Sequence, residues 1–303
     1  MAAIAQRLPF SASLRNQRGW KTALIFAAPA VILFTLFIVV PIINAAGASV
    51  YNWNGLRAPT SDKFVGINNF IQLLNNKTFQ RALYNTGLLI AVSLFIQLPL
   101  GLAMAALLGG RRWGSIVFRM IFFLPFILAE IATGLIFHYI FDGDVGIISV
   151  VSQWFGGPPV ALLADPNLAI IGILVAATWK YFGFHMMLYI AGMQAIDRSL
   201  YEAAEIDGAN AWQRFIYVTV PGIASTIRLS VFFAILGSLQ FFDLVVPLTG
   251  GGPLNGSHTI VSFLYYFGIL RMRIGFGDAV GVVLFVVCVA AAIGYRRLVM
   301  RND

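Results

Sequence analysis

The chain has 303 residues, of which 59% are hydrophobic and only 11% are charged, and its mean hydropathy is +0.85. A soluble domain of this size needs far more charge on its surface, so the composition predicts an all-α membrane protein. The formal net charge of +8 comes mainly from Lys and Arg in short loops between apolar runs. It therefore indicates membrane orientation and gives no support to nucleic-acid binding.

Six apolar runs are long enough to cross a bilayer as helices, since a span takes about 20 apolar residues. In chain order they cover residues 23–45, 88–108, 117–140, 168–190, 229–247 and 279–295. The first run is too long for the apolar region of a cleavable signal peptide, so we expect it to remain as a helix. The shorter run 259–270 is expected to lie along the interface or to pack on the bundle.

Positive residues alternate with these runs and predict the orientation of the chain. They precede the first run, separate the second from the third and the fourth from the fifth, and follow the sixth: Arg7, Arg15, Arg18, Lys21, Arg111, Arg112, Arg119, Arg198, Arg214, Arg228, Arg296, Arg297 and Arg301. Loop 142–167 has neither Lys nor Arg, which suits the outside, although the other external loops dilute the pattern with Arg57, Lys63, Lys77, Arg81, Arg271 and Arg273. We expect a cytoplasmic segment 1–22, one transmembrane domain 23–295 and a cytoplasmic tail 296–303.

Several kinds of chemistry have no recognisable site in the sequence. The single cysteine, Cys288, lies inside the last run and can form no intramolecular disulfide. The three histidines, His138, His185 and His258, are too far apart for a local pair of metal ligands. The chain has no phosphate-binding loop and no serine-nucleophile motif. The sequence therefore predicts no metal, no cofactor and no catalytic residue in this chain.

The polar stretch EAAEIDGANAWQRFIYVTVP, residues 202–221, is unusual in so apolar a chain. Ser199 and Glu202 have the spacing of a capping box, and Gly208 suits the left-handed end of a short helix. Asn210 begins a second helix, for which Gln213 supplies a similar capping box, and this helix is expected to end at Pro221. One face of it is predicted to pack on the bundle: Trp212, Phe215, Ile216 and Thr219. Structural logic alone leaves a capped loop and a functional surface equally open.

This stretch resembles the EAA loop of permease subunits in binding-protein-dependent ABC importers. The family pattern is E-A-A-x-x-D-G-A followed by an aromatic residue and a proline. The matching positions are Glu202, Ala203, Ala204, Asp207, Gly208, Ala209, Phe215 and Pro221. The resemblance implies a type I permease architecture in which the loop at residues 198–222 docks on a cytoplasmic ATPase.

Other segments resemble the carbohydrate-uptake branch of the same family. They are FVGINNF, FDGDVGII and LQFFDLVVPLTGGGP, followed by Thr259, in the order of the family. One departure is Ser225, where many relatives have a second proline, so the start of the fifth span is expected to be less kinked. The resemblance implies a solute that is a sugar, oligosaccharide, sugar alcohol or related glycoside.

The resemblance also implies a set of partners. These are a second permease subunit, two copies of an ABC ATPase that hold ATP and Mg, an external solute-binding protein and the lipids of a bacterial or archaeal cytoplasmic membrane. The missing phosphate-binding loop is expected on this hypothesis, since ATP hydrolysis belongs to another chain.

Polar and aromatic side chains within the apolar runs are candidates for the solute pathway, because burying a polar group in hydrocarbon is costly without a partner. They are Glu130, Trp179, Lys180, Tyr181, His185, Gln240, Phe241 and Asp243. A structural pair of Glu130 with Lys180 is an equally open interpretation. The rival function is a proton-coupled secondary transporter that uses Glu130, Lys180 or Asp243, and a membrane enzyme is a more distant alternative.

The glycine loop TGGGP, residues 249–253, also has two interpretations. Consecutive glycines suit a flexible external connection. The resemblance instead implies a periplasmic loop that takes part in gating or in contact with the binding protein, through Gly250, Gly251, Gly252 and Pro253.

Overall fold

The computed structural model describes residues 16–56, 59–110 and 114–299, with side chains from residue 25 onward. Within these ranges the chain is helical and forms no strand beyond one isolated antiparallel bridge between Tyr51 and Phe64. Parts of the predicted termini, residues 1–15 and 300–303, lie outside the described residues. So do three arginines of the charge pattern, Arg57, Arg111 and Arg112.

The described part of the first half of the chain forms eight α-helices. The helices are α1 (Asn16–Phe34), α2 (Val40–Ala48), α3 (Asn68–Leu74), α4 (Lys77–Val92), α5 (Leu98–Leu108), α6 (Ser115–Ile127), α7 (Glu130–Ile140) and α8 (Ile147–Trp154). A π turn, Thr35–Val39, joins α1 to α2, and a second, Ser93–Gln97, joins α4 to α5.

The second half begins with the longest helix and ends with a helix of almost the same length. The helices are α9 (Ala169–Gln194), α10 (Arg198–Ile206), α11 (Ala211–Arg214), α12 (Val220–Gly222), α13 (Ala224–Leu239), α14 (Val245–Thr249), α15 (Ile260–Phe263) and α16 (Ile274–Leu298). Further π turns extend α11 at Phe215–Thr219 and α15 at Leu264–Ile269.

Within the described part of the chain, four helical segments are long and apolar enough to cross a membrane: Ile25–Ala48, Lys77–Leu108, Ala169–Gln194 and Ile274–Leu298. They correspond to the first, second, fourth and sixth predicted runs. Two more candidates are bent pairs of helices, which bring the number to six if each pair is one span. The shorter run predicted beside them forms Ile260–Ile269, and it packs on the bundle as expected.

The third run is not the single helix that its apolar composition predicts. It breaks between α6 and α7, which meet at an angle of 98°. Leu128 and Ala129 are extended at the break, with ψ of 142° and 141°. Pro125 contributes to the break because it has no N–H to donate within the last turn of α6.

The fifth predicted run, 229–247, is also divided. Helix α13 ends at Leu239, and Pro247 lies in the separate short helix α14. The start of this span is bent without a second proline at Ser225, since the segments Ala211–Gly222 and Ala224–Leu239 meet at 69°. Ile223, with φ −106° and ψ 16°, carries the bend between them. The expectation of a smaller kink than in relatives with that proline stays a prediction.

Three of the described π turns precede a proline by one residue. Val40, Leu98 and Val220 each donate their N–H to the carbonyl five residues back, and Pro41, Pro99 and Pro221 follow. A proline ring crowds the carbonyl four residues before it, and a wider turn relieves that crowding. These helices therefore continue through their prolines instead of ending there.

Helix α9 is the centre of the bundle, and half of its residues are buried. It packs closely on α5 and α6 because small residues allow backbones to meet. A Cβ added at Gly183 would lie 2.0 Å from the carbonyl oxygen of Phe122, and one added at Gly101 would lie 3.1 Å from that of Phe182. Both contacts are with backbone atoms, which cannot rotate away.

We predict that Gly183→Ala lowers the thermal stability of the detergent-solubilised protein, because the added methyl group would push α6 away from α9. Overpacking of this kind typically costs about 1–3 kcal/mol. Gly87→Ala in α4 is the matched control, since no described atom lies within 4 Å of its added Cβ. Thermal unfolding followed by size-exclusion chromatography measures the effect, and equal melting of the two variants would contradict the packing argument.

Candidate functional site

The stretch 198–222 forms two short helical segments joined at Gly208, which we call the elbow. Its first helix begins two positions earlier than the predicted box: Asp197, not Ser199, is the N-cap, and its carboxylate accepts the N–H of Ser199 at 2.9 Å. That hydrogen bond lowers the pKa of the Asp197 carboxyl. The predicted Ser199–Glu202 box is therefore wrong, and Glu202 instead lies 2.9 Å from Arg198.

The turn between the two helices has the predicted form. Gly208 has φ +77°, in the left-handed region, and the next N–H, of Ala209, returns to the carbonyl of Ala204 at 2.9 Å. Asn210 and Gln213 form the predicted reciprocal capping box, with hydrogen bonds of 2.9 and 2.8 Å. The predicted end at Pro221 is wrong by one residue, since the helix continues to Gly222 through a π turn.

The elbow leaves most of its motif exposed. Glu202, Ala203, Asp207, Gly208 and Pro221 are exposed, whereas Ala204, Ala209 and Phe215 are half-buried. Helix α10 has no buried residue at all. Two apolar side chains of this helix, Leu200 and Ile206, are 54% and 87% exposed.

The predicted packing face of the second helix is only partly correct. Thr219 is buried and hydrogen-bonds to the Tyr201 hydroxyl at 2.9 Å, but Trp212 is 69% exposed. The reason is a cavity of about 960 Å³ beside α5, which Trp212 and Phe215 line together with Leu102. The elbow therefore lies across an open groove and is not packed against the bundle along its length.

A polar cluster occupies the break between α6 and α7. Lys180 of α9 is 1% exposed, and its ammonium donates to the carbonyls of Pro125, at 3.3 Å, and Leu128. Glu130, the first residue of α7, lies 3.6 Å from the same ammonium and accepts the Tyr181 hydroxyl at 2.8 Å. The structural pairing of Glu130 with Lys180 is thus present. The other carboxylate oxygen of Glu130 is buried and makes no hydrogen bond within the described residues.

This arrangement suits the dipoles of both half-helices. The positive ammonium lies at the carboxyl end of α6, where unpaired carbonyls gather, and the carboxylate lies at the amino end of α7. Lys180 therefore satisfies two carbonyls that the break exposes within an apolar bundle, and Glu130 provides the opposite charge beside it.

The other predicted pathway residues fall in different places. Tyr181, His185 and Phe241 line an interior cavity of about 300 Å³. Trp179 faces away from that cavity and stacks edge-on with Phe137 at 5.2 Å. Gln240 and Asp243 are exposed in the irregular segment after α13.

Sequence reasoning missed most of the polar lining of this cavity. Ser93, Gln97 and Ser238 also face it, and Ser93 lies 3.3 Å from Ser238 between their hydroxyl oxygens. His185 is 2.6 Å from the hydroxyl of Ser230. The available signal was the four-residue spacing of Ser93 and Gln97 within an apolar run, which puts both on one helix face.

The glycine loop is held in place by hydrogen bonds. Gly250 and Gly251 have φ of +60° and +82°, and the Ser257 hydroxyl donates to Thr249, at 2.8 Å, and to the Gly252 carbonyl. A Cβ at Gly251 would lie 1.9 Å from the ring of His258. The loop is thus closely packed on a buried side chain, which does not fit a flexible connection.

His258 lies beneath the loop and is 1% exposed. Its ring contacts Ser262 at 3.1 Å and stacks near Tyr266 and Phe267. Burial, together with the positive charge of Arg271, lowers the pKa of His258 to about 4. Among the described residues no group of three or more His, Cys, Asp or Glu could hold a metal ion.

A long apolar bundle with broken spans, an exposed elbow and an interior cavity with a partly polar lining is typical of a membrane transport subunit. The chain belongs to the family described as binding-protein-dependent transport system inner membrane component, whose model matches residues 97–302. The family resemblance predicted from the elbow motif is therefore confirmed. The protein is a multi-helix membrane component of a transport system.

Curated relatives match along almost their whole length. The chain is 33% identical over 284 residues to the lactose transport system permease protein LacF of Rhizobium radiobacter, covering 92% of each chain. It is 28% identical over 281 residues to the trehalose/maltose transport system permease protein MalF of Thermococcus litoralis, covering 93% of this chain and 94% of the relative.

Solved structures show the same fold. A chain of a bacterial alginate ABC transporter, in complex with an alginate pentasaccharide-bound periplasmic protein, superposes with a TM-score of 0.82 at 22% identity, covering 94% of this chain and 96% of that chain. A second structure of a bacterial ABC transporter for alginate import gives a TM-score of 0.78 at 24% identity, covering 93% and 99%.

We predict that Lys180→Met destabilises the protein by about 3–5 kcal/mol, because it leaves a carboxylate and two carbonyls without their cation. Adding Glu130→Gln should recover part of the loss, since no bare charge then remains. Lys77→Met, at an exposed lysine of α4, is the control. Thermal unfolding in detergent measures all four proteins, and equal stability of the two lysine variants would contradict the role of Lys180.

We also predict that acid destabilises the glycine loop through His258. The unfolded histidine, with a pKa near 6.5, binds a proton that the folded one, with a pKa of about 4, does not. Stability therefore falls as pH is lowered from about 6.5 to 4, and this contribution levels off below that range. His258→Gln should flatten the difference in unfolding temperature between pH 7 and pH 5; an unchanged pH dependence would contradict the assignment.

Proposed function

We propose that the chain is the membrane-spanning permease subunit of an ATP-driven, binding-protein-dependent importer of a sugar, oligosaccharide, sugar alcohol or related glycoside. The supporting pattern is the solute class in the names of its relatives, which includes lactose, trehalose/maltose and arabinooligosaccharides. The proton-coupled alternative has no counterpart among them. Lys180, moreover, is already engaged by two carbonyls and Glu130.

In this proposal six spans cross the cytoplasmic membrane of a bacterium or archaeon, and both termini are cytoplasmic. The two bent helix pairs are then the third span and the start of the fifth. The elbow and Arg119 lie on the cytoplasmic side, whereas the glycine loop and loop 142–167 lie outside. Arg119 supports this assignment because positive residues favour the cytoplasmic side. Its guanidinium binds the carbonyls of Leu108 and Gly110 where α5 ends.

The observation that carries the proposal is the exposed elbow. A capped loop has no need for an unburied helix that presents Leu200 and Ile206 to solvent beside a row of charges. A protein partner that covers this surface would bury both side chains. Arg214 pairs with Glu205 across the turn at Gly208, which stiffens the two helices as one unit. We infer that this unit docks on an ABC ATPase.

The solute pathway is proposed to include the interior cavity that Tyr181, His185 and Phe241 line. Hydroxyl, imidazole and amide groups beside aromatic rings suit an uncharged polyol, which offers hydroxyls on its edges and C–H groups on its faces. Lys180 and Glu130 support the cavity wall through the Tyr181 hydroxyl. Gln240 and Asp243 are exposed where a second permease subunit would complete the pathway.

The remaining partners follow from the same proposal. Two ATPase copies hold ATP and Mg, a periplasmic or extracellular binding protein delivers the solute, and membrane lipids surround the assembly. Gly250, Gly251, Gly252 and Pro253 are proposed to contact the binding protein or the gate. The close packing of Gly251 on His258 supports a loop of defined shape at that position.

We predict that Gly208→Val abolishes uptake by the assembled complex while leaving membrane insertion largely intact. The strain of a β-branched residue at φ +77° is local, and no described atom of the chain lies within 4 Å of the added Cβ. The open space is instead where a docked ATPase would approach. Uptake per folded complex, with retention of the ATPase assayed by co-purification, is the measurement.

Gly156→Val is the matched control, because Gly156 has the same φ of +77° and equally open surroundings in loop 142–167. It imposes the same backbone strain away from the elbow, so uptake should persist. If Gly208→Val retains normal uptake per folded complex, the elbow is only a capped loop. If both variants lose uptake equally, the cause is strain and not docking.

A further inference from the structure

Helix α8, Ile147–Trp154, has its two faces in the opposite arrangement to a helix on a water-soluble protein. Its exposed apolar residues recur on one face: Ile147, Ile148, Val151, Trp154 and Phe155, which follows the helix. Trp154 and Phe155 are 79% and 89% exposed. Exposed apolar groups in a contiguous cluster mark a contact with another apolar phase.

The opposite face of α8 carries Ser149, Ser152 and the exposed Gln153, and its two serines bind the backbone of the loop. Ser149 is fully buried, and its hydroxyl donates to the Gly143 carbonyl at 2.6 Å and accepts the N–H of Val160 at 3.2 Å. Ser152 donates to the Pro158 carbonyl at 2.9 Å. These bonds join the helix to the loop segments before and after it. The polar contacts of the helix therefore determine that its apolar face is directed outward.

The position of α8 in the chain restricts what can cover this face. It begins seven residues after α7 ends at Ile140, and the chain then returns to α9 at Ala169. Both neighbours belong to candidate spans, and α9 leads to the elbow at its other end. Helix α8 therefore lies at the membrane boundary opposite the elbow. With eight residues it is about 12 Å long, too short to cross the bilayer.

Charge and composition favour lipid over a protein partner. From residue 145 to residue 164 the sequence has no Asp, Glu, Lys or Arg, although Asp142, Asp144 and Asp165 flank it. Protein interfaces surround their apolar centre with a polar rim, which this segment lacks. A tryptophan and a phenylalanine at the end of an uncharged helix suit the headgroup level of a bilayer. Leu135 and Tyr139 of the neighbouring helix α7 are exposed as well.

We propose that α8 is an interfacial anchor whose face Ile147, Val151, Trp154 and Phe155 lies in the outer boundary between lipid headgroups and acyl chains. The proposal rests on α7 and α9 belonging to membrane spans and, for the outer side, on the orientation in the proposed function, not on the identity of the solute or of the ATPase. Because the face carries no charge, its insertion is independent of salt and of anionic lipid. The anchor holds loop 142–167 against the bilayer beside the external mouth of the bundle.

The single native cysteine makes a direct test practical. In a Cys288→Ala background, Val151→Cys and Phe155→Cys each receive a nitroxide spin label in the assembled complex, reconstituted in phosphatidylcholine nanodiscs. Asp144→Cys and Gln153→Cys are matched controls, exposed in the same loop but off the apolar face. Relaxation by dissolved oxygen, which concentrates in lipid, is compared with relaxation by a water-soluble nickel chelate.

The expected result is a several-fold higher ratio of oxygen to nickel accessibility at positions 151 and 155 than at 144 and 153. The ratio should be unchanged by high salt or by added anionic lipid. Equal, nickel-dominated accessibility at all four positions would overturn the proposal. So would protection at 151 and 155 that appears only when the solute-binding protein is added, because the covering surface would then be protein.

The readout also separates this proposal from the proposed function. Nitroxide accessibility reports the location of α8 whether or not the complex transports a solute. Uptake measured on the same nanodisc-derived protein, after transfer to liposomes, tests the importer independently. A labelled helix in lipid with no uptake would leave the anchor supported and the importer contradicted, and the reverse outcome would do the opposite.

Discussion

Lys180 stabilises the break in the third span, and the packing of the helices around this break depends on it. Its ammonium binds the carbonyls that end α6 and lies 3.6 Å from the carboxylate that begins α7. An apolar medium offers no water to unpaired backbone groups, so a break is stable only where a side chain satisfies them. Beyond the 98° turn, the backbone of Gly134 in α7 approaches Pro247 of α14 so closely that an added Cβ would clash with the proline ring.

Helix α14 in turn leads to the glycine loop, so the polar break and the loop are parts of one arrangement. The loop is held from below by His258, whose carbonyl accepts the amide of Asn85 in α4 at 2.9 Å. Gly251 and Gly208 both adopt left-handed conformations, but for different physical reasons. Gly251 is enclosed by a buried ring, whereas Gly208 faces open space. The closely packed loop therefore has a defined shape, whereas the open space around Gly208 leaves room for a protein partner.

The polarity of each exposed surface matches the medium that this surface is expected to contact. Span helices turn apolar side chains outward, as at Ile131 and Phe95, because lipid covers them. The elbow turns charges outward, and α8 turns an uncharged aromatic face outward while its serines bind backbone groups inside. The polarity of the exposed face therefore differs among surfaces that are expected to contact lipid, water or a protein partner.

Composition and local patterns determined the class, four intact spans, the left-handed Gly208 and the box of Asn210 with Gln213, because these signals act within a few neighbouring residues. The elbow motif was also sufficient for the family. Apolar composition could not show that residues 117–140 break, since the cation that stabilises the break lies about 50 residues away on α9. Likewise, Trp212 has the period of a packed residue, but a groove beside α5 leaves it exposed. Contacts distant in sequence decide these features, and only the tertiary structure brings them together.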